Sequence, residues 1–221
     1  MKVNLGENMS ILWIIRLSLI GCSFILIAVF AYFLKNRDKY SGILENTSIN
    51  ILSVILFNIF CYVPMLIPPD ENVVTRPVLL NNAFNLRWFD IVGLIIMILG
   101  VLLLLKTILM RKAIGAQDTS GKLLTKSIYS FCRHPIYFGI IIISLGFALR
   151  GINIDALIVF PLILLVNFLQ AKLEEVYDVG VRFKDEYLEY KKNTRMFGPI
   201  WFWFTILFFL ILPLIISILN Q

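Results

Sequence analysis

Six apolar runs, at 11–34, 49–67, 89–109, 136–149, 156–169 and 200–219, constrain this chain more than any other feature. A helix needs roughly 20 apolar residues to cross about 30 Å of hydrocarbon, and the first, second, third and sixth runs approach or reach that length. The fourth and fifth are shorter and are joined only by Arg150-Gly151-Ile152-Asn153-Ile154-Asp155. They read as an antiparallel helical hairpin, tilted or capped by flanking polar turns, with a re-entrant hairpin as the alternative. No alternating strand pattern occurs. The expected fold is therefore all-α, a polytopic transmembrane helical bundle of about six spans with a polar cytoplasmic helix after the hairpin. Composition agrees, with 59% hydrophobic and 15% charged residues, against about 45–50% and about 25% in a soluble domain.

Lys and Arg set the sidedness. Fifteen of the twenty fall in the segments after the first, third and fifth runs, counting Lys106 at the edge of the third, Arg16 lies within the first run, and only Lys2, Arg76, Arg87 and Arg150 lie on the opposite side. Cytoplasmic loops collect Lys and Arg, so both termini are expected outside and the long polar segments inside. The net charge of +6 then reflects topology and attraction to anionic headgroups, and calls for no nucleic-acid partner. The first run is too long for a signal-peptide core. Three scattered cysteines, Cys22, Cys61 and Cys132, define no disulfide framework. One histidine, His134, excludes a two-His metal site, and no metal is expected.

Three regions follow: an N-terminal three-span part (1–110), a central part with the hairpin (111–199) and a last span (200–221). The central part contains the two polar segments, 111–135 and 170–199. The first ends at Pro135, which suits the opening turn of a helix because its missing N–H costs nothing there. The second reads as a helix over 170–192 continuing the fifth run, with Gly180 as the expected kink. Val176, Val179, Phe183, Tyr187 and Tyr190 would form its apolar face. The Pro-rich loop 68–87 reads as a connector.

Several chemistries are missing. No glycine-rich dinucleotide loop follows a strand, Ser120-Gly121-Lys122 lacks the spacing of a phosphate loop, and no Ser/His/Asp array is visible. Two clusters remain on the basic side. One is Tyr129-Ser130-Phe131-Cys132-Arg133-His134-Pro135-Ile136-Tyr137-Phe138-Gly139. The other is Glu174-Glu175 with the later Phe183-Lys184-Asp185-Glu186-Tyr187-Leu188-Glu189-Tyr190-Lys191-Lys192. A hairpin puts its two ends on one membrane face with axes about 8–10 Å apart, so Arg133-His134 and Glu174-Glu175 can face one cavity. Arg and His suit a carboxylate, Glu an ammonium or ribose hydroxyls, and Tyr an aromatic base. Each piece alone also has an ordinary structural reading. Arg133-His134-Pro135 is a basic flank with a helix-starting proline. Glu174-Glu175 is a solvated turn with Lys172 as a helical neighbour, and the aromatic stripe is an interface face.

Together these pieces resemble the isoprenylcysteine carboxyl methyltransferase family, within the wider group of integral membrane methyltransferases that includes phospholipid N-methyltransferases. The resemblance covers about 111–194. It implies S-adenosylmethionine as cofactor. Gly121, Lys122, Leu123 and Leu124 would make backbone contacts to its adenosine part, and Tyr129, His134, Pro135, Ile136, Tyr137 and Glu175 would complete its site. Arg133 and Glu174 are the catalytic candidates, with Glu174 taking the proton of an amine acceptor. The family's glycine two residues before the tyrosine is Ser127 here. Its substrate-carboxylate arginine is Ala171, with Lys172 beside it as the candidate substrate residue.

The expected function is methyl transfer to a lipid or lipidated acceptor in the bilayer, a prenylcysteine-type carboxylate first. Phospholipid or small lipid amine N-methylation is the alternative. A membrane NADPH-dependent reductase is a second alternative, because sterol reductases share an Arg-His-Pro-x-Tyr element. A channel or transporter subunit is a third reading, disfavoured by spans nearly free of ionisable residues.

Overall fold

The structure is a computed structural model that describes residues 11–44, 46–66, 83–111, 122–151 and 154–208. All regular elements among them are helical: α1 (Ile11–Lys35), α2 (Arg37–Leu44), α3 (Thr47–Leu66), α4 (Ala83–Arg111), α5 (Ile128–Phe131), α6 (Pro135–Gly151), α7 (Ile154–Glu174), a π-helical turn (Glu175–Val179), α8 (Gly180–Asn193) and α9 (200–208). Two stretches among the described residues, Trp13–Lys35 and Phe89–Met110, are long and apolar enough to cross a membrane. Ile55–Pro64 and Pro135–Arg150 are shorter apolar stretches. The outward faces of α1, α3 and α4 carry exposed Ile25, Tyr32, Leu52, Ile55, Ile95 and Leu102. An apolar surface of that extent fits a lipid environment and a membrane-associated protein.

Two apolar cores organise the helices. Ile20, Ile27, Phe57, Cys61, Val159, Ile163 and Val166 join α1, α3 and α7. Phe89, Ile96, Phe138, Ile142, Leu145 and Leu149 join α4 and α6, with Phe131, Phe202 and Trp203 packed against them. Within the first core Arg16 is only 1% exposed. Its Nε donates to the Pro64 carbonyl at 3.3 Å, near the C-terminal end of α3, and its guanidinium stacks over Trp13. Helix ends leave carbonyls without intrahelical donors, so this burial has a structural explanation.

The second core depends on glycine. α4 and α6 run antiparallel at very close range: a Cβ on Gly146 would lie 2.6 Å from the Gly93 carbonyl oxygen, and one on Gly100 would lie 2.9 Å from the Ile143 amide nitrogen. Gly93 and Gly100 are seven residues apart, as are Gly139 and Gly146, so each helix presents one small-residue stripe to the other. Small residues let membrane helices approach through their backbones.

Sequence-based expectation and structure differ at four points. α4 starts at Ala83, so the last residues of the expected connector are already helical; 67–82 lie outside the described residues. The polar continuation of α7 is not one helix kinked at Gly180, whose φ and ψ of −66° and −32° are helical. The break is the π turn, followed by a second irregularity at Lys184, where φ is 39°. One extra residue in a turn shifts the phase of everything after it. The expected apolar stripe splits: Tyr187 and Tyr190, beyond the turn, are buried, while Val176, within it, is 57% exposed.

Gly180 belongs to this turn for another reason. Its N–H reaches back to the Glu175 carbonyl, and an added Cβ would lie 2.3 Å from that oxygen. Gly180→Ala is expected to destabilise the protein by about 1–3 kcal/mol, the usual range for overpacking. A lowered melting temperature in detergent is the measurement. A variant as stable as wild type would mean the π turn is not fixed in solution.

Candidate active site

The α6–α7 hairpin brings His134 and the glutamate pair together. His134 immediately precedes Pro135, the first residue of α6, and Glu174 and Glu175 stand where α7 gives way to the π turn. The His134 Nε2 atom lies 3.2 Å from Glu175 Oε1, and Nδ1 lies 3.5 Å from Glu174 Oε2. The imidazole is 6% exposed. Two backbone hydrogen bonds hold this segment from the other side: Arg133 N–H donates to Arg195 O at 2.9 Å and His134 N–H to Met196 O at 3.2 Å.

Arg133 turns inward beside it. Its Nε and Nη2 donate to the same Glu175 oxygen at 3.0 and 2.9 Å. Its Nη1 donates to the carbonyls of Lys191 and Thr194 at the end of α8. A cation there satisfies carbonyls and favours the helix dipole. The guanidinium thus ties Glu175 to the C-terminus of α8. Lys191 Nζ lies 3.1 Å from the other Glu175 oxygen, and Lys172 Nζ lies 3.9 Å from it. Glu175 is the hub of this cluster, with a side chain only 1% exposed.

Electrostatics follow from these contacts. Burial favours a neutral Glu175, but the His134 hydrogen bond and the His134 and Arg133 charges win, and its carboxyl is held well below the usual range. Burial likewise opposes charge on His134, yet the hydrogen bonds and charges of Glu174 and Glu175 outweigh it and raise its pKa. The Tyr187 and Tyr190 phenols are pushed upward, chiefly by burial, and stay neutral at physiological pH.

A cavity of ≈ 280 Å³ opens on this cluster. Leu123, Leu124, Tyr129, Arg133, His134, Pro135, Ile136, Tyr137 and Glu174 all line it. So do α2 residues Ile43 and Leu44, and an apolar wall from α1, α3 and α4 that includes Leu26, Phe30, Phe57 and Leu104. Tyr190 lines it as well, and its hydroxyl donates to the Tyr129 carbonyl at 2.6 Å, so α8 closes over α5.

Other expected site residues fall elsewhere. Gly121 lies outside the described residues, and Lys122 is exposed. Glu175 stands against His134, while Glu174 is the glutamate on the cavity wall. Lys172 is not part of that wall; its ammonium turns toward Glu175. Ala171 is fully buried. The side chain that faces the cavity one turn before Glu174 is Gln170. Ser127 has φ of 59°, in the positive-φ region that glycine enters without strain.

Sequence reasoning also missed an ion cluster. Asp178, in the π turn, pairs with Arg37 at the start of α2 and with Arg182 on α8, where Arg182 Nε lies 2.8 Å from Asp178 Oδ1. Asp178 and Arg182 both line the cavity. The sequence separation of 141 between Arg37 and Asp178 leaves no local signal to find.

A cavity with carboxylate and guanidinium at its wall, four tyrosines around it and a greasy side fits a zwitterionic nucleoside cofactor beside a lipid. Comparison with known proteins agrees. Residues 88–178, from the start of the second core to the π turn, match the family model of phospholipid methyltransferases. Members of that family are methyltransferases that use S-adenosylmethionine as methyl donor. The chain is an S-adenosylmethionine-dependent methyltransferase acting on lipid-like substrates in a membrane setting, which displaces the reductase and transporter alternatives. No curated protein and no solved structure matches it.

Proposed function

We propose that the chain is a six-span membrane enzyme that methylates the amine of a lipid. Its active site would open to the cytoplasm and both termini would face the other side. The observation that carries this reading is His134, held between Glu174 and Glu175 at the wall of a cavity that is otherwise largely apolar. S-adenosylmethionine supplies a methyl group already activated by its sulfonium. The protein's own work is to position the reactants and keep water out. Gly121 to Leu124, Tyr129 and His134 to Tyr137 are assigned to the cofactor, with Glu175 fixing His134 and Arg133 locking Glu175 to α8.

The choice of amine over prenylcysteine carboxylate rests on the charges at the wall. The cavity-lining guanidiniums of Arg133 and Arg182 are matched by Glu175 and Asp178. The wall also carries the Glu174 carboxylate and the Gln170 side chain. His134 at the wall is paired with both glutamates, so no cation is left over there for a carboxylate acceptor, whereas an amine would find an acceptor in Glu174. Glu174 is placed to take the proton that an ammonium must lose before its lone pair can attack.

Calorimetric titration of S-adenosylmethionine into the detergent-purified protein tests the site. Wild type is expected to bind, and His134→Ala to bind at least about tenfold more weakly, as loss of a buried charge-assisted contact implies. Unchanged affinity in His134→Ala and in Glu175→Ala would reject the assignment. Labelled methyl transfer to phosphatidylethanolamine and to a farnesylated cysteine peptide, measured side by side, decides the acceptor.

A further inference from the structure

Gln170 is the one cavity-lining amide on α7 whose role the mechanism above leaves open. Its Oε1 is buried and meets no hydrogen-bond partner among the described residues, although the side chain lines the cavity. Buried acceptors are nearly always satisfied, and an exception calls for an explanation. Glu174, four residues on along α7 (Ile154–Glu174), lines the same cavity. Residues at i and i+4 of a helix stand about 5–6 Å apart on one face, a separation that one small polar head group can bridge. We propose that Gln170 is a specificity-determining residue: with Glu174 it forms a two-acceptor clamp on the acceptor amine, and the clamp counts the hydrogens left on nitrogen.

The inference rests on the amine reading given above. In the transfer step the nitrogen lone pair forms the N–C bond while the C–S bond breaks and its electron pair stays on sulfur, leaving a neutral thioether. The nitrogen then carries the positive charge and, where an N–H remains, releases a proton to water, Glu174 having already taken the proton of the starting ammonium. Before that step the lone pair must point at the methyl group, so only N–H bonds are left for the clamp. A primary amine has two, one for each acceptor. A secondary amine has one. A tertiary amine has none, so neither acceptor gains a partner from it. Each lost N–H···O contact in a closed site lowers the rate, and a single buried acceptor left unpaired is worth about tenfold or more. The clamp therefore favours early methylations and makes the dimethylated amine the main released product.

The experiment uses the full-length protein in nanodiscs, with phosphatidylethanolamine and its N,N-dimethyl derivative as separate acceptors and mass spectrometry as readout. Wild type should use the unmethylated acceptor at least tenfold better in kcat/KM. Gln170→Met removes the acceptor oxygen at similar length. It should lower the rate on the primary amine about tenfold and spare the dimethylated one, which serves as the internal control for folding. Gln170→Glu keeps an acceptor and should retain the wild-type preference. Equal losses on both lipids, or no change on either, would overturn the clamp. If wild type methylates neither amine but does methylate a farnesylated cysteine carboxylate, the amine reading itself fails and the clamp goes with it. If Gln170→Met cannot be purified folded, Gln170→Leu and the Gln170→Glu preference ratio decide the question.

Discussion

Glu175→Ala is expected to destabilise the protein by on the order of 3–5 kcal/mol and to abolish cofactor binding. The substitution removes one side chain but strands two. The Arg133 side chain is 8% exposed and His134 is 6% exposed, and both would lose their shared carboxylate. Breaking a buried pair from one side leaves an uncompensated charge, which is where that magnitude comes from. Arg133 would still hold the α8 carbonyls, so secondary structure should survive while the site loosens. Melting temperature in detergent and cofactor titration give the readouts. A variant that melts like wild type would mean that Glu175 does not hold the cluster together.

The same hub sets the sign of a pH effect. Glu175 has a depressed pKa, so its contribution is present above its ordinary value of 4.5 and is lost as pH falls toward the lower folded value. His134 has a raised pKa, so its contribution is complete below its ordinary 6.5 and fades as pH climbs through the higher folded value. The cluster is thus strongest between about 4.5 and 6.5. Subtracting the His134→Ala melting curve from that of wild type across pH isolates the alkaline limb. If the difference grows with rising pH, the imidazole is not charged in the folded protein.

Much of this site was legible because a hairpin leaves little freedom. Two helices joined by a short link must end side by side, so Arg133-His134 and Glu174-Glu175 had to meet. What each residue does there was less legible. Arg133 reads as a catalytic group in sequence but spends its donors on Glu175 and the end of α8. The π turn is invisible to a pattern of 3.6-residue spacing, because the shift of phase occurs in the backbone. Val176 lies within that turn and faces outward, and on α7 before it Gln170, not Ala171 or Lys172, stands on the cavity wall. The Arg37–Asp178 contact depends on tertiary packing alone. The paired glycines were readable in principle, since two stripes of seven-residue spacing face each other, but glycine in an apolar run draws no attention until a partner helix is known.

Those glycines carry the second large effect. Gly146→Val is expected to push α4 and α6 apart and inactivate the enzyme. A single Cβ at that position would sit 2.4 Å from Met97 Cγ, 2.6 Å from the Gly93 carbonyl oxygen and 2.8 Å from the Met97 amide nitrogen. Met97 can swing aside, but the two backbone atoms cannot move without moving α4. Overpacking usually costs about 1–3 kcal/mol, and valine adds two methyl groups to a clash that is already with backbone. Pro135 and Tyr137 sit on α6 and Leu104 on α4, all lining the cavity, so separating the helices widens the wall at which His134 stands. Loss of methyl transfer should therefore come with weaker cofactor binding as well as a lower melting temperature. Gly21 on α1, where an added Cβ meets nothing within 4 Å, is the matched control: Gly21→Val should be nearly silent. If Gly146→Val keeps full activity and stability, the close α4–α6 contact is not what positions His134, and the hairpin must hold the site without it.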